Sequence, residues 1–161
     1  MDDASANLAN FDNQNIASIN PNGGYGVAVH FGANGRRSSI ALARHVAVSG
    51  LFDHSVTGNL SISEDAGASS RVINGSVTVY HNLVRVVGTS TFTNVIHSDL
   101  CCVPTGGEIT TTFSAGANQS PRFLGELMLG KSEKLTFTGC GTAVLTETDG
   151  TVKNVTLKRC F

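Results

Sequence analysis

Residues 140–160 read CGTAVLTETDGTVKNVTLKRC, and this stretch decides the fold because it predicts a complete β-hairpin. Asp149-Gly150 supplies the turn, since three-residue hairpin loops commonly end in a glycine with left-handed backbone conformation. Side chains alternate between the two faces of a strand, so this turn also fixes which residues share a face. One face carries Ala143, Leu145, Val155 and Leu157, and the other carries Cys140, Thr142, Val144, Thr156 and Cys160.

The same period-two alternation continues toward the N-terminus and predicts a second hairpin. A two-residue turn at Asn34-Gly35 pairs Val29 with Ile40 and, one step further out, Val27 with Leu42. Residues 39–48 also show helical spacing of some apolar side chains, which leaves a short helix as the alternative. We favour a strand because the apolar residues alternate as well and the turn chemistry agrees.

Further strand-like runs fill the rest of the chain. A turn at His81-Asn82 is expected to pair Val79 with Val84. The other runs cover residues 55–63, 70–80, 83–96, 107–114, 122–129 and 133–147. All three prolines fall between runs, where a missing N–H does not break a ladder. The sequence therefore predicts an all-β fold, an antiparallel β-sandwich or barrel of about nine to eleven short strands stabilised by disulfides.

The chain divides into two parts by composition. Residues 1–24 are rich in Asn, Asp, Ala and Ser and end in the turn-forming segment 20–24. So polar a segment cannot bury a core of its own. We expect a polar lead or fibre-shaft-like segment at 1–24, followed by one β-rich domain at 25–161.

Four cysteines lie in the last 61 residues of the chain, and they lack the paired spacing of a zinc site. Either Cys140 bonds Cys160 and leaves a vicinal pair, or Cys101 and Cys102 bond Cys140 and Cys160. We favour the second pattern because a vicinal disulfide needs a strained ring. Disulfides persist in oxidising compartments, so the cysteines predict an extracellular, cell-surface or periplasmic protein.

Charge and hydropathy narrow the classes of partner. The net charge is −1, and no basic cluster is present, which argues against nucleic acid. No apolar run reaches the roughly 18–20 residues that span a bilayer. The first residues are acidic and polar rather than those of a signal peptide, so export implies a mature or trimmed segment. The alternative is a cytosolic protein with four reduced thiols.

Residue patterns for catalysis are missing from the sequence. There is no Gly-x-Ser-x-Gly elbow, and the five histidines show no metal-ligand spacing. We therefore expect no enzyme activity, no metal and no cofactor. An enzyme without a recognisable motif is the third functional hypothesis, because a catalytic triad can be assembled from any order of residues.

Sugar binding requires aromatic faces and nearby polar groups. Trp is absent, so Tyr and Phe must supply the aromatic faces. The predicted aromatic contacts are Tyr25, Phe52, Tyr80 and Phe123. The predicted polar contacts are His54, His81, Asn82 and Arg122.

Residues 10–20, NFDNQNIASIN, resemble the Asn/Asp-rich unit in the shafts of phage tail fibres and related bacterial surface fibres. The resemblance implies a homotrimer with Phe11, Ile16 and Ile19 on the trimer axis and a C-terminal tip that contacts a receptor, often a glycan. The functional prediction is accordingly a non-enzymatic extracellular recognition module, an adhesin or fibre tip. The alternative is a monomeric secreted or periplasmic β-domain with a structural or small-ligand-binding role.

Overall fold

A computed structural model describes residues 26–31, 37–48, 52–64, 69–81, 84–116, 120–122 and 125–157. In chain order the elements are β1 (Gly26–Phe31), β2 (Arg37–Val48), β3 (Phe52–Ser63), β4 (Ser70–His81), β5 (Val86–Ser98), β6 (Gly106–Ala115), α1 (Gly125–Met128), β7 (Ser132–Gly139), β8 (Thr142–Thr146) and β9 (Val152–Thr156). The segment predicted as a polar lead, with its trimer-axis residues, lies outside the described residues.

The nine described strands form one antiparallel sheet in which each strand pairs with the next along the chain. The predicted all-β, antiparallel, disulfide-stabilised class is therefore confirmed. Within that class the sheet is a meander and is not closed, so it differs in detail from a two-sheet sandwich or a closed barrel. Strands β2 to β5 are also long, with 12 or 13 residues each. Typical strands have about five or six residues.

Alternation gives the sheet two chemically different faces. On β3, Val56, Leu60 and Ile62 are partly buried, whereas Thr57 and Asn59 are exposed. Directly paired residues on neighbouring strands share a face, so the strand register extends this difference across the described sheet. We call one side the apolar face; its central row is Leu60, Gly75, Phe92, Ile109, Leu135 and Leu145. The opposite side is the hydroxyl face; its exposed members include Thr57, Ser61, Thr91, Thr93, Thr112 and Ser114.

The best-packed part of the apolar face lies around three buried side chains. Val95 and Ala143 are each 2% exposed, and Phe137 packs with them. Partly buried neighbours complete the cluster, namely Ile73, Phe92, Ile109, Leu135, Val155 and Leu157. Removing this apolar surface from water stabilises the fold at about 25 cal/mol per Å². The cluster also fixes the order of β4 to β9, since each of these strands contributes a residue.

A disulfide closes the end of the sheet beside this cluster. Cys101, in the β5–β6 connection, is bonded to Cys140, in the β7–β8 turn, with 5.8 Å between the Cα atoms. This pairing excludes the alternative in which Cys140 bonds Cys160. Cys102 is also disulfide-bonded, and the remaining cysteine, Cys160, lies outside the described residues. Free cysteines are absent from the part of the chain that the structure describes.

The hairpin predicted at the C-terminal end is confirmed. Ala143 pairs with Val155 and Thr142 with Thr156, as the Asp149-Gly150 turn requires. Gly150 has a φ of 86°, and its N–H donates to the carbonyl of Glu147. The N–H of Thr151 donates to Oδ1 of Asp149 at 2.8 Å, and this bond holds the pKa of that carboxyl below its usual value.

The predicted strand pairing at the N-terminal end is confirmed too. Val29 pairs with Ile40 and Val27 with Leu42, and residues 37–48 form a strand rather than the alternative helix. The apolar alternation and the Asn-Gly turn therefore predicted both the element type and its register.

Three local predictions are wrong. Val79 pairs with Gly88 rather than Val84, because the β4–β5 connection runs from 82 to 85 and Arg85 takes the left-handed conformation with φ 54°. Residues 122–129 include the helix α1 instead of forming a strand. The run at 133–147 is two strands, since Gly141 turns the chain with a φ of 76°.

Candidate ligand-binding site

The meander places alternate connections at the same end of the sheet. Strands β2, β4, β6 and β8 finish where β3, β5, β7 and β9 begin, and α1 lies in the β6–β7 connection there. We call this the α1 end. The opposite end, which carries the Cys101–Cys140 bond, is the disulfide end.

Five of the predicted ligand-binding residues lie at the α1 end. Phe52 and His54 are the first and third residues of β3, and the backbone of His54 pairs with that of His81. Tyr80 and His81 finish β4, and the N–H of Arg122 donates to the carbonyl of Val84 at 3.0 Å. The remaining predicted contacts, Tyr25, Asn82 and Phe123, lie outside the described residues.

Tyr80 and His81 do not converge on one surface, however. Tyr80 and His81 are adjacent on β4, so their side chains point to opposite faces of the sheet. The ring of Tyr80 lies over Gly116, where an added Cβ would come within 2.7 Å of Cε2. His81 belongs to the apolar face. A single site that uses both residues, as the sequence suggested, is therefore not formed by the described side chains.

A cavity of about 290 Å³ opens on the apolar face at the α1 end. Its volume is close to the lower limit of small-molecule sites, which measure roughly 300–1,000 Å³. The described residues that line it are Val79, His81, Val84, Val86, Gly88, Ser90, Thr111, Phe113 and Met128. Most of these side chains are apolar, and the polar ones are His81, Ser90 and Thr111.

Gly88 explains why the cavity exists. In register, Gly88 lies directly between Val79 on β4 and Phe113 on β6. The row of side chains across the apolar face is thus interrupted at β5. An alanine Cβ at this position would lie 3.5 Å from Cε1 of Phe113, an ordinary contact distance. Glycine therefore leaves a space that a methyl group would fill.

One hydroxyl pair provides polar contacts inside the cavity. Oγ of Ser90 and Oγ1 of Thr111 lie 2.8 Å apart, and the two residues are direct cross-strand partners. Both hydroxyl groups are partly buried on an otherwise apolar wall. His81 adds an imidazole whose Nδ1 atom is buried. A few polar groups placed within apolar walls are typical of ligand-binding sites.

Sequence reasoning missed most of this cavity. Of the predicted ligand-binding residues, His81 is the one that lines it. An isolated glycine inside a strand pattern is a known signal of unusual packing, and Gly88 within 83–96 is such a glycine. Met128 was not identified as a lining residue, because the run that contains it was predicted as a strand and instead includes the helix α1.

A second, smaller cavity of about 190 Å³ lies at the disulfide end. Arg71 and His97 are cross-strand partners there, and Nη2 of Arg71 donates to Nδ1 of His97 at 3.4 Å. Glu64 also lines this cavity, together with the isoleucines Ile40, Ile62 and Ile73. Since Arg71 and Glu64 carry opposite charges, this cavity has no net preference for an anion.

Three further observations assign no function to the described residues. Among the described residues, no group of three or more His, Cys, Asp or Glu side chains is placed to hold a metal ion. No described helix is long and apolar enough to cross a bilayer. Comparison with known protein families, with curated proteins and with solved structures finds no match. The chemistry of the α1-end cavity is therefore the basis for a functional proposal.

Proposed function

We propose that this protein is a non-enzymatic recognition module of an oxidising compartment outside the cytoplasm, and that it binds a surface glycan or other receptor through the α1-end cavity. The observation that carries the proposal is the cavity itself, an open, mostly apolar space with one hydroxyl pair and one imidazole. The adhesin or fibre-tip role is the form of this function that the resemblance at residues 10–20 favours.

Cysteine oxidation supports the proposed location. The Cys101–Cys140 bond joins two connections of the sheet, and Cys102 is oxidised as well. Such structural disulfides are rare in the cytosol, where thiol systems keep cysteines reduced. An extracellular, cell-surface or periplasmic location is consistent with this pattern.

The cavity lining supports binding rather than catalysis. Among the described lining residues, no Asp, Glu, Lys, Cys or Tyr side chain accompanies the imidazole of His81. Acid–base or nucleophilic catalysis usually needs at least two convergent groups, a nucleophile or base and a residue that orients it. Ser90 does not meet this requirement. Its hydroxyl contacts Thr111, and Ser90 lies four residues along β5 from Val86, the cross-strand partner of His81.

The fit to a sugar follows from the same residues. A sugar ring has apolar C–H surfaces and a set of hydroxyl groups. Phe113 offers an aromatic wall for the first, while Ser90, Thr111 and His81 offer hydrogen-bonding groups for the second. The small volume limits the inserted part to one sugar unit or one substituent.

The alternative, a monomeric secreted β-domain that binds a small apolar ligand, is favoured by one observation. Five lining residues, Val79, Val84, Val86, Phe113 and Met128, are apolar. A short acyl chain would cover them, although it would leave the hydroxyl pair without a partner from the ligand.

We expect His81→Ala to weaken glycan binding about tenfold, because it removes a cavity wall and a hydrogen-bonding group worth about 1–2 kcal/mol. A glycan array identifies the ligand, and titration calorimetry measures its affinity for the purified 161-residue chain. The matched control is His97→Ala, a partly buried histidine at the disulfide end, which should bind like the wild type. Equal loss in both variants, or no bound glycan at all, contradicts the proposal; octanoic acid bound in place of glycans favours the alternative.

The trimer that the resemblance implies predicts a solution mass three times that of the chain. Three chains of 16.7 kDa give a particle of about 50 kDa. Light scattering on the purified protein under non-reducing conditions measures this mass directly. A 16.7 kDa particle would exclude the homotrimer and favour the monomeric alternative.

A further inference from the structure

The α1-end cavity combines three properties that restrict the chemical group it can take. Its walls are apolar, it carries one hydroxyl pair, and its volume is about 290 Å³. Each property excludes a class of ligand. The choice of the inserted group rests on the proposed glycan-binding function of the same cavity.

Charge is the first restriction. None of the described lining residues is Asp, Glu, Lys or Arg. A carboxylate, phosphate or ammonium group inserted here would lose its hydration without gaining an opposite charge, which is strongly unfavourable. Acidic and amino sugars are therefore poor candidates, and the inserted group is neutral.

The hydroxyl pair is the second restriction. Each hydroxyl has one donor and two acceptor lone pairs. The bond between Ser90 and Thr111 uses one donor and one lone pair, so the pair still offers one O–H and several lone pairs. A ligand group with both an N–H and a C=O matches this surface. A plain hydrocarbon would bury the pair without any hydrogen bond to it, at a cost in free energy.

The apolar walls are the third restriction. Phe113 lies two residues from Thr111 on the same face of β6, and both border the space over Gly88. Its ring favours contact with a methyl group over contact with a hydroxyl. We infer that the cavity binds the acetamido group of an N-acetylhexosamine, with its methyl on Phe113 and its amide on Ser90 and Thr111. A glycan without this group leaves part of the cavity unfilled.

Gly88→Ala tests the inference without disturbing the fold. The added Cβ would lie 3.5 Å from Cε1 of Phe113 and 3.7 Å from Cγ2 of Thr111, which are ordinary contacts. The methyl group therefore occupies the space assigned to the acetamido group. We expect the affinity for N-acetylglucosamine to fall at least tenfold with an unchanged melting temperature. Thr91→Ala is the control, since this exposed residue lies on the same strand but on the hydroxyl face.

The ligand panel separates this inference from the proposed function. Calorimetry on the full chain uses N-acetylglucosamine, N-acetylgalactosamine, glucose and glucosamine at millimolar concentration. At least tenfold tighter binding of an acetylated sugar, lost in Gly88→Ala, supports the inference. Equal binding of glucose and N-acetylglucosamine, both lost in His81→Ala, overturns the inference and keeps the recognition function. If neither these sugars nor any arrayed glycan binds, the proposed function and the inference both fail.

Discussion

Replacing Cys101 with serine is expected to lower the free energy of unfolding by about 4 kcal/mol. The bond to Cys140 closes a loop with a sequence separation of 39, and the loss of chain entropy in the unfolded state gives this magnitude. For a chain of this size, the melting temperature should fall by about 8–16 °C. Urea denaturation under non-reducing conditions measures the free energy, and calorimetry measures the melting temperature.

Two further variants make this result specific to the bond. Cys140→Ser should match Cys101→Ser, because each removes the same cross-link. The double variant should be no less stable than either single variant, since the bond is lost only once. Wild-type melting behaviour in the single variants would mean that the cross-link between the β5–β6 connection and the β7–β8 turn does not stabilise the sheet.

Gly107→Ala is expected to lower the free energy of unfolding by about 3 kcal/mol or more. Gly107 has a φ of 82°, and a Cβ there would overlap the carbonyl of Asn94 and lie 2.7 Å from Cα of Val95. Asn94 is itself left-handed, with φ 48°, and its N–H donates to Oδ1 of Asn74 at 2.7 Å. The clash therefore falls on a bulge that positions a residue of the buried cluster.

Comparison with Gly130→Ala separates the cost of the Cβ clash from the cost of a left-handed backbone. Gly130 also has a left-handed backbone, with φ 70°, but an added Cβ would have no neighbour within 4 Å. It should cost only about 1–2 kcal/mol, the penalty for a left-handed L-residue. Urea denaturation of both variants is the measurement. Similar stabilities would show that the bulge can relax around Gly107.

The fold was predictable where short-range chemistry determines it. Apolar alternation and Asn-Gly or Asp-Gly turns were sufficient to pair Val29 with Ile40 and to put Ala143 and Val155 on one face. They failed at the β4–β5 connection. There Arg85 takes a left-handed conformation and Val84 accepts a bond from Arg122, a residue 38 positions away. Local sequence propensity gives no information about contacts between residues so far apart in the chain.

The site was less predictable for a related reason. The cavity depends on Gly88 facing Val79 on one side and Phe113 on the other, and this requires the register of three strands. From the sequence, aromatic and polar residues near turns were instead selected as the ligand contacts. Tyr80, His81 and Arg122 all lie at the end of the sheet that holds this cavity, but sequence reasoning could not assign them to faces.

An open meander has a consequence for self-association. Its terminal strands, β1 and β9, each have one described neighbour, so one rim of each can template the addition of a foreign strand. At the C-terminal rim this hazard is limited, because β9 has five residues and carries Lys153 and Asn154 in exposed positions. Short edge strands that carry polar and charged side chains resist amyloid-like growth. Strand β9 therefore shields its more apolar partner β8 from pairing with a foreign strand.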